Sequence, residues 1–177
     1  MREDWDNKPL TIEIVEGCAP EIGRLLWQLE VTRERLKEKL AGLDQATLDF
    51  ALPNENSIGT LLYHIAAIEM SWLYEEVVET TVFPPEVNEL MCYDVRDDAG
   101  RLTVVNGRSL DQHLHTLDRT RHYLLTHFQQ MDIANFRRVR QMENYSCTPE
   151  WVLHHLIQHE AEHRGQIMTI RTQAEQK

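Results

Sequence analysis

The stretch Thr148-Pro149-Glu150-Trp151-Val152-Leu153-His154-His155-Leu156-Ile157-Gln158-His159-Glu160-Ala161-Glu162-His163-Arg164-Gly165-Gln166-Ile167 decides the fold. Thr148 supplies a hydroxyl N-cap, and Pro149 stands at the first helical position, where its missing N–H costs nothing. Val152, Leu156, His159, His163, Ile167 and Ile170 recur at spacings of three and four, one stripe of a helix running to Glu175. Two histidines therefore interrupt an apolar face directed into a core. Residues at i and i+4 stand about 6 Å apart along the axis on one face, close enough for two imidazoles to grip one metal ion. Two unpaired histidines buried on such a face would otherwise each need a hydrogen-bond partner.

Working outward, the same logic finds three further helices. Ile22, Leu25, Leu26, Leu29, Leu36 and Leu40 mark a first helix from about Pro20 to Leu40, with charges from Arg33 to Lys39 on its other side and Gly42 placed to end it. Ser57 caps a second helix of roughly twenty residues with Leu61, Leu62, Ile65, Ile68, Trp72 and Leu73 as its core. His64 lies on that inward sector. Ser109 and Gln112 form a capping-box pair for a third helix, whose stripe is Leu110, Leu114, Leu117, Leu124, Leu125, Phe128 and Met131. Between the second and third helices, Thr80 to Arg108 is broken by Pro84-Pro85, Asp97-Asp98, Gly100 and Gly107, with a helical turn near Val87–Met91. A connection this long can cross from one end of a bundle to the other and leave those two helices parallel. Asn135 to Cys147 reads as an arm or hairpin. Leu10 to Ile14 alternates like a short strand, or forms an ordered tail. The expectation is an all-α four-helix bundle forming one domain over residues 1–177.

Composition bounds the function. The net charge of −11 argues against binding a phosphate backbone, which needs Lys and Arg to displace counterions. The dense basic run Arg137-Arg138-Val139-Arg140 reads as a solvated or internally paired arm. Cys18, Cys92 and Cys147 are scattered, without C-x-x-C spacing, which points to free thiols in a reducing compartment. Met1 to Asp6 is charged and carries no apolar signal core, and no apolar run approaches membrane-spanning length, so the expected location is the cytoplasm.

His64, His159 and His163 are the candidate metal ligands. Three neutral imidazoles suit Zn²⁺ first, and also Ni²⁺ or Fe²⁺, and they leave a fourth position for water or substrate. His154 and His155 read as surface or rim residues, and His113, His115, His122 and His127 share no apolar face. The rival reading is a zinc peptidase, since His159-Glu160-x-x-His163 matches H-E-x-x-H with Glu160 as general base. Against it, Gln166 and Thr169 stand where the longer metzincin pattern wants Gly and His, and no sheet precedes the helix to hold a peptide. Glu160 reads instead as a surface carboxylate, or one that holds the far nitrogen of a ligand histidine.

Ser57-Ile58-Gly59-Thr60-Leu61-Leu62-Tyr63-His64-Ile65-Ala66, taken with Trp151 to Ile167, resembles the DinB-like superfamily in its DUF664-type branch, over roughly residues 20–172. The resemblance implies an up-down-down-up bundle with a long crossover between helices 2 and 3. It also implies a divalent metal held by His64, His159 and His163, and a homodimer. Characterised relatives are thiol-dependent enzymes, such as mycothiol-dependent isomerases and bacillithiol S-transferases. The expected function is thus a metal-dependent S-transferase or isomerase using a low-molecular-weight thiol. The alternatives are a metal-dependent hydrolase, a non-catalytic metal-binding stress-response bundle, and a bundle whose histidines only pack.

Overall fold

The computed structural model describes residues 10–176; the charged N-terminal Met1 to Asp6 lies outside them. The chain is mostly helical. Helix α1 spans Pro20–Leu40 and ends before Gly42, whose φ of +76° suits a residue without Cβ. A short α2 (Gln45–Asp49) precedes α3 (Ile58–Ser71), where the Ser57 hydroxyl accepts from the Thr60 N–H at 3.1 Å. The second predicted helix does not end regularly. Trp72–Val77 widens into a π-helical segment, with the Val78 N–H donating to the Leu73 carbonyl at 2.9 Å. Helix α4 (Pro85–Leu90) is the turn expected in the crossover, and α5 (Leu110–Gln129) starts on the expected Ser109/Gln112 capping box. Then come α6 (Ile133–Arg137), the two-residue antiparallel strands β1 (Arg140–Gln141) and β2 (Ser146–Cys147), and α7 (Pro149–Glu175), capped by Thr148.

Leu10 to Ile14 does not form a strand. The segment runs onto α1 instead, and the Val15 N–H donates to the Gly23 carbonyl. A Cβ on Gly23 would lie 2.5 Å from Ile14 Cγ2, so glycine is what admits this close pass. The basic run at Arg137 is internally paired: Arg137 with Glu21 and Glu150, and Arg138 with Glu79, while Arg140 is buried against Asn135 and the Val77 carbonyl. All three cysteines are free. No helix among the described residues is long and apolar enough to cross a membrane.

The crossover is tied back to the beginning of α3. Tyr63 donates its hydroxyl to the Tyr93 carbonyl at 2.6 Å, Val105 N–H donates to Thr60 Oγ1 at 3.1 Å, and Gly107 N–H donates to the Asp49 carboxylate. α5 therefore sets out beside the start of α3.

The apolar core falls into two principal clusters. One gathers Leu26, Leu29, Met70, Leu73, Leu124, Phe128, Phe136, Val152 and Leu156; the other gathers Leu36, Leu40, Leu61, Leu62, Ile65, Leu117 and Ile167. Between them lies a buried layer of charge, one residue from each long helix: Arg33, Glu69, Arg121 and Glu160. Arg33 was expected on the solvated side of its helix. It stands four residues after Leu29 and three before Leu36, on the core stripe.

His113 is also buried, at 1% exposure, and its Nε2 has no hydrogen-bond partner among the described residues. Desolvation first, then the nearby Arg108, pushes its pKa down to about 4, against a weaker opposing pull from Asp49. The folded value lies below the unfolded value of 6.5, so between these the unfolded chain binds a proton that the folded chain refuses, and stability falls as pH falls through that window. From pH 7.5 to pH 5 the difference amounts to about 2 kcal/mol. Urea unfolding at pH 7.5 and pH 5 checks this: His113→Leu is expected to lose about 2 kcal/mol less than the wild type.

Candidate metal centre

Helix α3 brings His64 and helix α7 brings His159 and His163 to one point. Nε2 of His159 lies 3.2 Å from Nε2 of His64 and 3.1 Å from Nε2 of His163. The three side chains each offer a ligand atom within 4.8 Å of the others. His64 is buried; His159 and His163 are half-buried, so the group opens to solvent on the α7 side. The His163 ring stands nearly perpendicular to the other two, 89° to His64 and 83° to His159, while His64 and His159 are tilted by 60°.

The protonation states suit a cation. Burial, then the His163 charge, pushes His64 down to about 4, with Arg96 adding to the effect. Burial, then His163 and His64, pushes His159 down to about 3. Both rings are free bases at neutral pH. The Gln166 carbonyl oxygen stands 2.8 Å from His163 Nδ1, so that nitrogen carries the proton and Nε2 presents its lone pair to the centre. With Nε2 unprotonated on all three rings, the three nitrogens are a poor arrangement for one another and a good one for a divalent ion of the Zn, Ni or Fe kind. The donor set therefore fits a metal, and could hold one.

Glu160 is adjacent in sequence and points elsewhere. It is 1% exposed, its Oε1 accepting from Arg33 Nε at 2.6 Å and its Oε2 from Arg121 Nη2 at 2.8 Å. Its expected place at the surface or behind a ligand histidine is corrected by this placement, which also turns it away from the rival role of peptidase base. A step of one residue turns about 100° around the helix, so His159 and Glu160 face different layers. Burial alone would raise Glu160, but the two guanidinium groups hold it below the ordinary carboxylate range.

Two concavities open on α7, one after His163 and one before His159, each a neighbouring side chain away from the imidazoles. On the Gln166 side, Leu52, Glu55, Asn56, Leu61, Thr169 and Gln173 help line a mainly polar cleft of about 290 Å³. On the other side, Trp72, Tyr145 and Trp151, with Ser146 and Cys147, line an aromatic cavity of about 400 Å³. His155 joins this wall, stacked on Trp151 with rings 5.1 Å apart and 5° from parallel. The sequence reading placed Trp72 in the core of its helix and His155 at the rim, and gave no role to Tyr145 and Trp151. The signal for them was the row Trp151, His155, His159, His163, in steps of four.

A mostly helical chain that brings three imidazoles together from two helices is what the DinB-like resemblance implies. Residues 24–176 match the family described as mycothiol-S-transferase, and the chain belongs to that family. No curated protein matches it.

Proposed function

We propose that this protein is a metal-dependent S-transferase that joins a low-molecular-weight thiol, mycothiol by the family's description, to an electrophile. The observation that carries the reading is the convergence of His64, His159 and His163 on one point from two helices. These three residues are the proposed ligands, with zinc as the leading metal and nickel or iron as substitutes. A divalent ion held there would supply Lewis-acid stabilisation of a substrate thiolate. The chain's own part is to hold three lone pairs inward, with Gln166 fixing the tautomer of His163, and to leave the α7 side open for substrate.

The proposal extends to architecture. One domain over residues 1–177 with up-down-down-up helix order is supported by paired contacts. On α1 and α7, Arg33 meets Glu160 and Arg171 meets the Lys39 carbonyl; on α3 and α5, Gly59 approaches His113 and Glu69 meets Arg121. Each of these pairs advances in the same chain direction. The family resemblance adds a homodimer, and the scattered free cysteines suit the reducing cytoplasm.

Elemental mass spectrometry on untagged protein tests the centre. About one metal per chain is expected in the wild type, lost in His64→Ala and in His163→Ala, with Gln166→Ala binding roughly tenfold more weakly. Metal-dependent consumption of mycothiol with a halo-aromatic completes the test. Metal retained in His64→Ala would remove the cross-helix site, and thiol-independent cleavage of esters or amides would replace transfer with hydrolysis.

A further inference from the structure

A polar cleft reaches the three imidazoles through Gln166 and an aromatic one through His155, and a thiol transfer has two substrates to place. The aromatic side is built from three elements. Trp151 and His155 come from the first turns of α7, Trp72 opens the π-helical segment after α3, and Tyr145 comes from the turn of the β1–β2 hairpin. Trp72 lies 5.3 Å from Trp151 and 4.6 Å from His155, tilted by 47° and 51° against their stack, so the rings form an open notch. Trp151 and Tyr145, which each approach Trp72, remain 45% and 47% exposed, so the group forms an apolar patch open to solvent. His155 links the notch to the centre, its ring 5.8 Å from that of His159.

We propose that this notch binds the second substrate, and that this substrate is a planar, electron-poor aromatic electrophile; the assignment rests on the transferase reading above. The walls present indole, phenol and imidazole faces, which are electron-rich and favour offset stacking with an electron-poor ring. A cavity of about 400 Å³ suits a ligand of one or two rings. An aromatic notch can also hold a cation. Here the buried carboxylate bonded to the notch, Glu76, is occupied in accepting the Tyr145 hydroxyl at 2.6 Å, and it does not line the cavity. Cys147 in the wall is kept as a thiol by burial, which spares it from the ligand the notch admits. In the transfer, the thiol sulfur forms a bond to the ring carbon, and the carbon–halogen bond breaks with its electron pair leaving as halide. The thiol proton passes to solvent, and no oxidant or reductant enters.

The test uses the full chain loaded with zinc. In ¹H–¹⁵N spectra, 1,3-dinitrobenzene, which lacks a leaving group, is expected to shift the indole N–H signals of Trp72 and Trp151 and leave that of Trp27 on α1 in place. In turnover, Trp151→Ala and Trp72→Phe are expected to raise KM for 1-chloro-2,4-dinitrobenzene about tenfold and fivefold, with KM for mycothiol held within about twofold. Indole shifts without any turnover in the wild type would keep the aromatic site and remove the transferase reading. The site itself is overturned if the nitroaromatic shifts neither indole, if tetramethylammonium shifts them in its place, or if the substitutions raise KM for the thiol instead. It is equally overturned if Trp151→Ala turns a dimer into a monomer and the ring compound binds nowhere near it, since the notch would then be a contact between two chains.

Discussion

Glu160→Ala is expected to lower the free energy of unfolding by about 3–5 kcal/mol, the range for removing one member of a buried ion pair. Glu160 accepts from Arg33 and Arg121, and Glu69 accepts from the same two guanidinium groups, at 2.9 Å from each Nη2. Arg33 Nη1 also donates to the Leu117 carbonyl at 2.7 Å, and Arg121 Nη1 to the Leu29 carbonyl at 3.1 Å. Without Glu160 two buried cations share one buried carboxylate, with only the partly exposed Glu30 to help Arg121. The pH dependence has a definite sign. Glu160 is held below its ordinary value in the folded state, so its contribution is present above the unfolded pKa and is lost as pH falls through the lower folded one.

The same substitution separates a structural carboxylate from a catalytic one. At a temperature where Glu160→Ala remains folded, metal content and thiol turnover are expected to stay within a few-fold of wild type. A general base would behave in the opposite way: a loss of two to four powers of ten in rate with little change in stability. Guanidinium-chloride unfolding beside single-turnover kinetics distinguishes the two outcomes.

The charged layer also explains what the sequence hid. The four long helices were legible because their caps and apolar stripes agree: Ser57, Ser109 and Thr148 cap the helices they were expected to cap. His64, His159 and His163 were legible as inward-facing because each sits among Leu and Ile at helical spacing. Arg33, Glu69 and Arg121 sit at equivalent positions, with Leu36, Leu73 and Leu124 three or four residues on. A charged residue on a stripe is ordinarily taken as its edge, because a lone buried charge is too costly. Only the tertiary arrangement shows two cations and two anions meeting in one layer. The aromatic notch was hidden differently. Trp151 and His155 lie beside the apolar stripe, and their partners Trp72 and Tyr145 arrive through a π-helical segment and a hairpin turn, whose geometry no periodicity announces.

His159→Leu is expected to split stability from metal dependence. In the metal-free wild type, Nε2 of His159 faces two other imidazole nitrogens at 3.1–3.2 Å, and its ring is a free base held down to about 3 by burial and by its neighbours. Leucine suits that face of α7, between Leu156 and the apolar turn at Ile167. Metal-free His159→Leu is therefore expected to match the wild type or exceed it by about 1 kcal/mol. Zinc reverses the order. A ligand that binds only the folded chain stabilises it by about 4 kcal/mol when present at a thousand times its Kd, and the gain grows with the logarithm of concentration. Thermal unfolding with increasing zinc should raise Tm stepwise in the wild type and leave His159→Leu flat. If instead zinc moves neither protein and His159→Leu loses more than about 2 kcal/mol, the three histidines are packing groups and the centre holds no metal. The two curves crossing, with the variant ahead without zinc and the wild type ahead with it, is the pattern that a ligand set assembled at a cost to the core must give.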